Sequence, residues 1–302
     1  MTARGWWLFA AMALLWGVPY LFVKEAVATF SPAAIVAGRT LVGALVLLPI
    51  ALQRKAIAPA LRKWPWVLAF GAIEMAGPFV LIGHAEITLP SGLTGLLVAT
   101  VPLFAALIGL AGGDRAVLQP LRATGLVVGF VGVAVIVGGP AATTGGAGGI
   151  VAVGELMLVA VCYAVAPFVV VTKLRDVPAL GSITLSLAAV GACYLPIALV
   201  VPSAAPTARS TVSLVLLGVL CTAVAFIGFF ALIAEVGPVR APLFTYVNPV
   251  VAILLGAVLL GEQITIGLVI GFPLVIAGCW LAATGGRLPG RRSARAARGI
   301  DP

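Results

Sequence analysis

Two stretches decide how this chain folds: VPLFAALIGLAGGDR at 101–115 and NPVVAILLGAVLLGEQ at 248–263. Each has a proline in second place, runs through an apolar segment, and stops at a glycine followed by an acid. The stops are Gly113-Asp114 in the first and Gly261-Glu262 in the second. Pro102 and Pro249 stand 147 residues apart, and the second copy carries one extra residue before its stop. A second pair keeps the same spacing. Trp16-Gly17 in LLWGVPYLFVK and Tyr163-Ala164 in VCYAVAPFVVVTK are also 147 residues apart. Each is followed by a proline, Pro19 or Pro167, and then by a lysine, Lys24 or Lys173. One such pair is weak; two unrelated landmarks at one offset mark an internal repeat.

The repeated unit is a membrane unit. The 302 residues are 62% hydrophobic and 9% charged, against about 25% charged in an ordinary soluble domain. So little polarity cannot cover a soluble surface, and a spanning helix needs about 20 mostly apolar residues. Ten such runs occur, at 6–23, 33–52, 65–84, 92–111, 121–138, 150–171, 179–201, 212–233, 240–260 and 266–285. They are numbered spans 1 to 10 below. QRK at 53–55, GGDR at 112–115 and GGPAATTGGAGG at 138–149 are among the breaks between them. The runs do not alternate polar and apolar residues, which excludes a β-barrel. The expected fold is an all-α integral membrane protein with ten transmembrane helices. Five spans per repeat is an odd number, so the second copy enters the bilayer upside down, the arrangement of secondary transporters. The expected units are a first repeat at 1–137, a Gly-rich linker at 138–149, a second repeat at 150–286 and a basic tail at 287–302.

Lysine and arginine set the orientation. With the N-terminus in the cytoplasm, the inward segments hold Arg4, Arg54, Lys55, Arg62, Lys63, Arg115, Arg122, Lys173, Arg175 and Arg240. The tail adds Arg287, Arg291, Arg292, Arg295 and Arg298. The outward loops hold Lys24 and Arg209, and Arg39 lies within span 2. This positive-inside bias accounts for the net charge of +9 without a nucleic-acid partner. The tail GRRSARAARG reads as a solvated topology signal that can also touch anionic lipid. Span 1 is expected to stay uncleaved, because no small-residue cleavage site follows it. Cys162, Cys193, Cys221 and Cys279 all fall inside spans without metal-ligand spacing and read as small packing residues.

The WG of span 1, the arginine in GRTLVGALVLLP (38–49), LTGLLVATVPLFAALIG (93–109), and above all VGPVRAPLFTYVNPVVAILLGAVLLGEQIT (236–265) carry a resemblance. The chain resembles the EamA branch of the drug/metabolite transporter superfamily from about Trp6 to about Thr284. The resemblance implies two inverted five-helix repeats around a central cavity, alternating access, and small metabolites as cargo, commonly amino acids and often moved outward. The sequence departs from the family pattern at Asp114, where glutamate is more frequent. At a loop position, that change is expected to matter little to substrate choice.

Charges inside the spans are the candidates for function. Glu74 in GAIEMAGPFVLIG (71–83) lies nine residues past Pro65. That is about 14 Å into a core about 30 Å thick. An ionised carboxylate there is costly unless hydrated or paired. Two readings are open: a structural carboxylate locked to Arg39 or to hydroxyls, and a coupling or binding group that faces a wet cavity and carries a proton. Arg39 lies about 9 Å deep by helical rise and can reach Glu74 or an anionic group of a substrate. A fixed packing or gating role is equally open. Glu155 sits near the outer interface within reach of headgroup water. His84, at the outer end of span 3 beside Glu86, reads as interfacial.

Trp6, Trp7, Trp64 and Trp66 sit at span ends and read as interfacial anchors. Trp16 and Tyr20 lie one helical turn apart inside span 1, and Tyr163 holds the matching place in the second repeat. Thr100 before Pro102, and Thr245, Tyr246 and Asn248 before Pro249, give spans 4 and 9 their polar groups, beside carbonyls that proline leaves without a donor. Pro19, Pro102, Pro167 and Pro249 are the expected helix breaks. Gly125-xxx-Gly129 and Gly267-xxx-Gly271 in spans 5 and 10 are small-residue faces. They join the two spans to each other or form the seam of a homodimer.

A membrane-embedded enzyme would need a catalytic set, and neither HExxH, paired intramembrane aspartates nor a nucleophile elbow occurs. No P-loop and no pore motif is present. No catalytic residue, metal site or cofactor is expected; the expected partners are a small-molecule solute and membrane lipid. Export of a metabolite ranks first, since Arg39 and Glu74 together suit a carboxylate and an amine. Proton-coupled export of lipophilic cations is the alternative.

Overall fold

The computed structural model describes residues 1–138, 146–237 and 240–286. The basic tail and most of the Gly-rich linker expected from the sequence lie outside the described residues. The described chain is helical and contains ten helices long and apolar enough to cross a membrane. They are Ala3–Ala26, Pro32–Gln53, Trp64–Thr88, Ser91–Ala111, Pro120–Val137, Ala147–Lys173, Ala179–Val200, Ala208–Val236, Ala241–Leu260 and Ile266–Thr284. A backbone in lipid must satisfy its polar groups internally, which leaves helix as the only open form. Hydroxyls hold the exposed starts: Thr2, Ser31, Thr207 and Thr265 accept from the amides of Gly5, Ala34, Ser210 and Leu268. Both ends of the ten-span set lie on one face, here the terminal face, and the opposite side is the far face.

The packing respects the repeat. Span 2 packs along span 7 and span 5 along span 10; span 1 meets span 8, span 6 meets span 3, and span 4 meets span 9. Exchanging each span with the one five places on leaves this set unchanged, as two inverted five-helix repeats require. The irregularities repeat too. Span 3 widens into a π-turn at Ala72–Ala76 and span 8 at Val219–Val224, 147 residues later. The local causes differ. Pro78 cannot donate one turn after Glu74, whereas in span 8 the Thr222 hydroxyl bonds the carbonyl of Leu217 at 2.8 Å. Spans 4 and 9 break at Thr100 and Val247, again 147 apart. In each, the proline two residues on withholds the donor that would continue the helix.

The seam between spans 5 and 10 resolves the glycine alternatives. A Cβ on Gly125 would stand 2.4 Å from the amide of Ala282, and one on Gly278 2.3 Å from that of Gly129. The helix backbones touch, so this face is used within one chain and is not free to form a dimer seam.

Candidate central binding site

Where the breaks of spans 1, 4 and 9 meet the π-turn of span 3, a cavity of about 500 Å³ opens inside the bundle. Span 1 supplies Trp16, Pro19 and Tyr20. Pro19 cannot donate to Leu15, so the helix restarts there after Gly17. Gly17 lets the break lie against span 9, because a Cβ would meet that of Val251 at 2.5 Å. Span 2 supplies Arg39, span 3 Glu74 and Phe79, span 4 Pro102, span 6 Tyr163, span 8 Phe226, and span 9 Thr245, Tyr246 and Asn248.

The two charges face this space without pairing to each other. Arg39 donates from Nε to the Thr222 hydroxyl at 3.0 Å and lays its guanidinium 3.8 Å from the centre of the Phe79 ring. Its stem is packed, with the residue 8% exposed, and among the described residues its terminal nitrogens carry no hydrogen bond. Glu74 forms neither a hydrogen bond nor an ion pair among the described residues. The lock between Arg39 and Glu74, one of the two readings the sequence left open, is therefore not formed. The physical reason is competition: a hydroxyl and a ring face already hold the guanidinium on the side of span 8 and span 3's Phe79.

The remaining expectations divide. Thr100 is fully buried and is not on the cavity wall, because its hydroxyl turns back to the carbonyl of Leu97 at 2.7 Å. Asn248, with its amide nitrogen turned toward span 1, reaches the carbonyls of Ala13 and Phe244, both at 3.2 Å. Thr245 donates to the Pro242 carbonyl at 2.7 Å. Pro167 lies inside the unbroken helix Ala147–Lys173 and breaks nothing, unlike Pro19, Pro102 and Pro249, which sit at helix starts. Trp16 lines the cavity from within an aromatic cluster, with ring centres 5.0 Å from Phe229 and 5.4 Å from Phe244. His84 and Glu155 were read as separate interfacial groups, but they pair at 2.7 Å and join spans 3 and 6.

Sequence reasoning missed the ties that close the far face. Lys24 donates to the main-chain oxygens of Glu86 at 2.6 Å and Leu89 at 2.9 Å. Glu262 accepts from the amides of Ser91 at 2.7 Å and Gly92 at 3.0 Å. A cation thus sits on the C-terminus of span 3 and a carboxylate on the N-terminus of span 4, each favoured by the helix dipole. Gly261, at φ +67°, turns the chain so that Glu262 can reach back. Arg209 and Glu25 add an ion pair on the same face. Toward the terminal face the cavity wall runs on to Pro242 and Leu243; toward the far face it ends at Val23, Ile82 and Gly95, beneath these ties.

Ten spans in two inverted repeats around a polar cavity with broken helices define a membrane transporter of the secondary type. The EamA-like transporter family matches residues 3–138 and again 150–284. The chain belongs to that family, and it is a multi-pass membrane protein acting on a small-molecule solute. It is similar to "uncharacterized transporter YvbV" of Bacillus subtilis, 26% identical over 92% of this chain and 90% of that protein. It is also similar to a "probable terminal-alkyne amino-acid exporter" of Streptantibioticus cattleyicolor, 25% identical over 91% of this chain and 92% of that protein. A solved crystal structure superposes with a TM-score of 0.64 over 93% of this chain and 97% of the other at 22% identity, a likeness of fold.

Proposed function

We propose that the chain exports small zwitterionic, amino-acid-like solutes across the plasma membrane by alternating access, with Glu74 as the proton-coupling acid. One observation carries the reading: Arg39 and Glu74 face a single cavity of about 500 Å³ and do not neutralise each other. A guanidinium with free terminal nitrogens is the group that recognises a carboxylate, and an unpaired carboxyl is the group that accepts an ammonium or a proton. The volume lies within the range of small-molecule sites. Trp16, Tyr20, Tyr163 and Tyr246 supply flat walls with hydroxyl edges, and Pro19, Pro102 and Pro249 the flexible points around which the walls move. The similar exporter of Streptantibioticus cattleyicolor supports an amino-acid-like cargo.

The basic residues on the terminal face support cytoplasmic termini, so the far face is external and this conformation is closed to the outside. The chain is read as repeats at 1–137 and 150–286, joined by a linker at 138–149 and followed by a tail at 287–302. Its work is translocation, with no chemical step.

The test compares metabolites in the medium of cells expressing the wild type or the Arg39→Gln, Glu74→Gln double variant. A zwitterionic solute enriched by the wild type alone supports the reading. The aromatic faces of Trp16, Phe79 and Phe226 favour lipophilic cations instead, though Arg39 would repel them. Enrichment of such cations, with zwitterions unchanged, selects that second reading.

A further inference from the structure

Glu86 sits two residues before the end of span 3, is 0% exposed, and among the described residues has neither carboxyl oxygen bonded. Its neighbour Glu262 shows how a settled acid looks in this fold, with both oxygens on backbone amides. The groups in electrostatic reach of Glu86 are Lys24 and Tyr20 on span 1, Arg39 on span 2, and Glu262 in the loop between spans 9 and 10. His84 and Glu155 at the same end of spans 3 and 6 are taken up with each other. Lys24 is the nearest cation, yet it bonds the main-chain oxygens of residues 86 and 89 rather than the carboxylate. A carboxyl buried this way is costly as an anion, because no donor stands in for the water it has lost.

Any opening of the far face that parts the hairpin of spans 3 and 4 from span 1 breaks both Lys24 bonds. The freed ammonium then needs an acceptor, and the carboxyl group on the same turn is at hand. We propose that Glu86 is a second titrating acid of the transport cycle, one that gates the far face, with Lys24 as its partner in the far-open state. In the far-closed state the carboxyl keeps its proton while Lys24 holds the carbonyls. On opening, the O–H bond breaks, the proton passes to water on the far side, and the carboxylate pairs with the ammonium. On closing, Glu86 takes a proton back from water on the far side and Lys24 returns to the chain ends. The proposal rests on alternating access but not on the role of Glu74 or on the solute.

The test uses the full chain in liposomes without solute. Infrared spectra are titrated with pH, following the carbonyl stretch of neutral carboxylic acids, for the wild type, Glu86→Gln, Glu86→Asp and Glu74→Gln. In parallel, a membrane-impermeant thiol reagent is added from the far side, and its reaction at Cys221, a cavity-wall residue, is read by mass spectrometry. Glu86→Gln should remove one titrating band that Glu74→Gln keeps, and Glu86→Asp should restore a band at a displaced frequency. Labelling of Cys221 should rise with pH in the wild type and stay low at every pH in Glu86→Gln. An unchanged set of bands in Glu86→Gln overturns the proposal. Loss of the band with labelling as in the wild type also overturns it, since Glu86 would then titrate without any part in opening. A Glu74→Gln variant that keeps every band refutes the coupling role of Glu74 while leaving this proposal standing.

Discussion

The two repeats share a skeleton and differ in charge. At an offset of 147 residues, the π-turns coincide, the breaks at Thr100 and Val247 coincide, and Phe79 and Phe226 both line the cavity. The two charges of the cavity wall have no counterpart. Arg39 is matched by Ser186, which spends its hydroxyl on the Val67 carbonyl at 2.8 Å, and Glu74 is matched by Cys221. Glu86 likewise meets an apolar residue, Ile233, at this offset, whereas Lys24 is answered by Lys173 two residues beyond it. The lesson is that inversion symmetry needs the residues that bend helices in both copies, whereas solute recognition needs each charge only once. The first repeat therefore carries the ionic chemistry, and the second a neutral wall of Tyr163, Thr245, Tyr246 and Asn248.

The largest expected effect comes from removing the charge asymmetry. Arg39→Gln should weaken binding of the zwitterionic solute by about 2 kcal/mol or more, roughly 30-fold, measured by solute-induced thermal shift. Ser186→Ala, at the matching place, should leave binding unchanged. Equal losses in both variants would break the comparison.

A smaller effect is expected where the repeats meet as equals. Gly278→Leu forces a side chain into the backbone of Gly129 and should destabilise by about 1–3 kcal/mol. Gly154→Leu, where the added side chain finds open space, should stay within about 0.5 kcal/mol. Thermal unfolding in detergent separates the two, and equal melting temperatures would contradict the close seam.

The smallest concerns the Arg39 support. Thr222→Val removes the acceptor of its Nε bond and should cost about 1.5 kcal/mol of solute binding, near tenfold, while also removing the donor to the Leu217 carbonyl in the π-turn. An affinity equal to wild type would mean that the stacking on Phe79 alone positions the guanidinium.

Much of this was legible in the sequence. Length and hydropathy marked all ten spans to within a few residues, since apolar runs bounded by Gly, Pro and charge leave little choice in lipid. The offset of Pro102 and Pro249 foretold the paired breaks. Three features were not legible. The π-turns depend on which carbonyl finds a donor, and in span 8 that donor is the hydroxyl of Thr222, which looks like any other threonine. Depth along a helix placed Arg39 and Glu74 as possible partners, but rotation about the helix, which hydropathy does not encode, turned Arg39 to Thr222 and Phe79 instead. Glu86 and Glu262 lie just past the apolar runs that end at 84 and 260, where hydropathy says nothing of burial. Only the folded hairpin shows that one is sealed and the other caps a helix across the interface.

The central claim is that Glu74, an acid on the cavity wall, couples solute movement to protons. Its most direct test is uptake into proteoliposomes of the solute found in the medium comparison, with an imposed pH gradient, for wild type and Glu74→Gln. The wild type should accumulate solute above its equilibrium level. Glu74→Gln, matched in shape, should still equilibrate solute across the bilayer but accumulate none. Accumulation by Glu74→Gln to the wild-type level, with the same dependence on the gradient, would contradict the account.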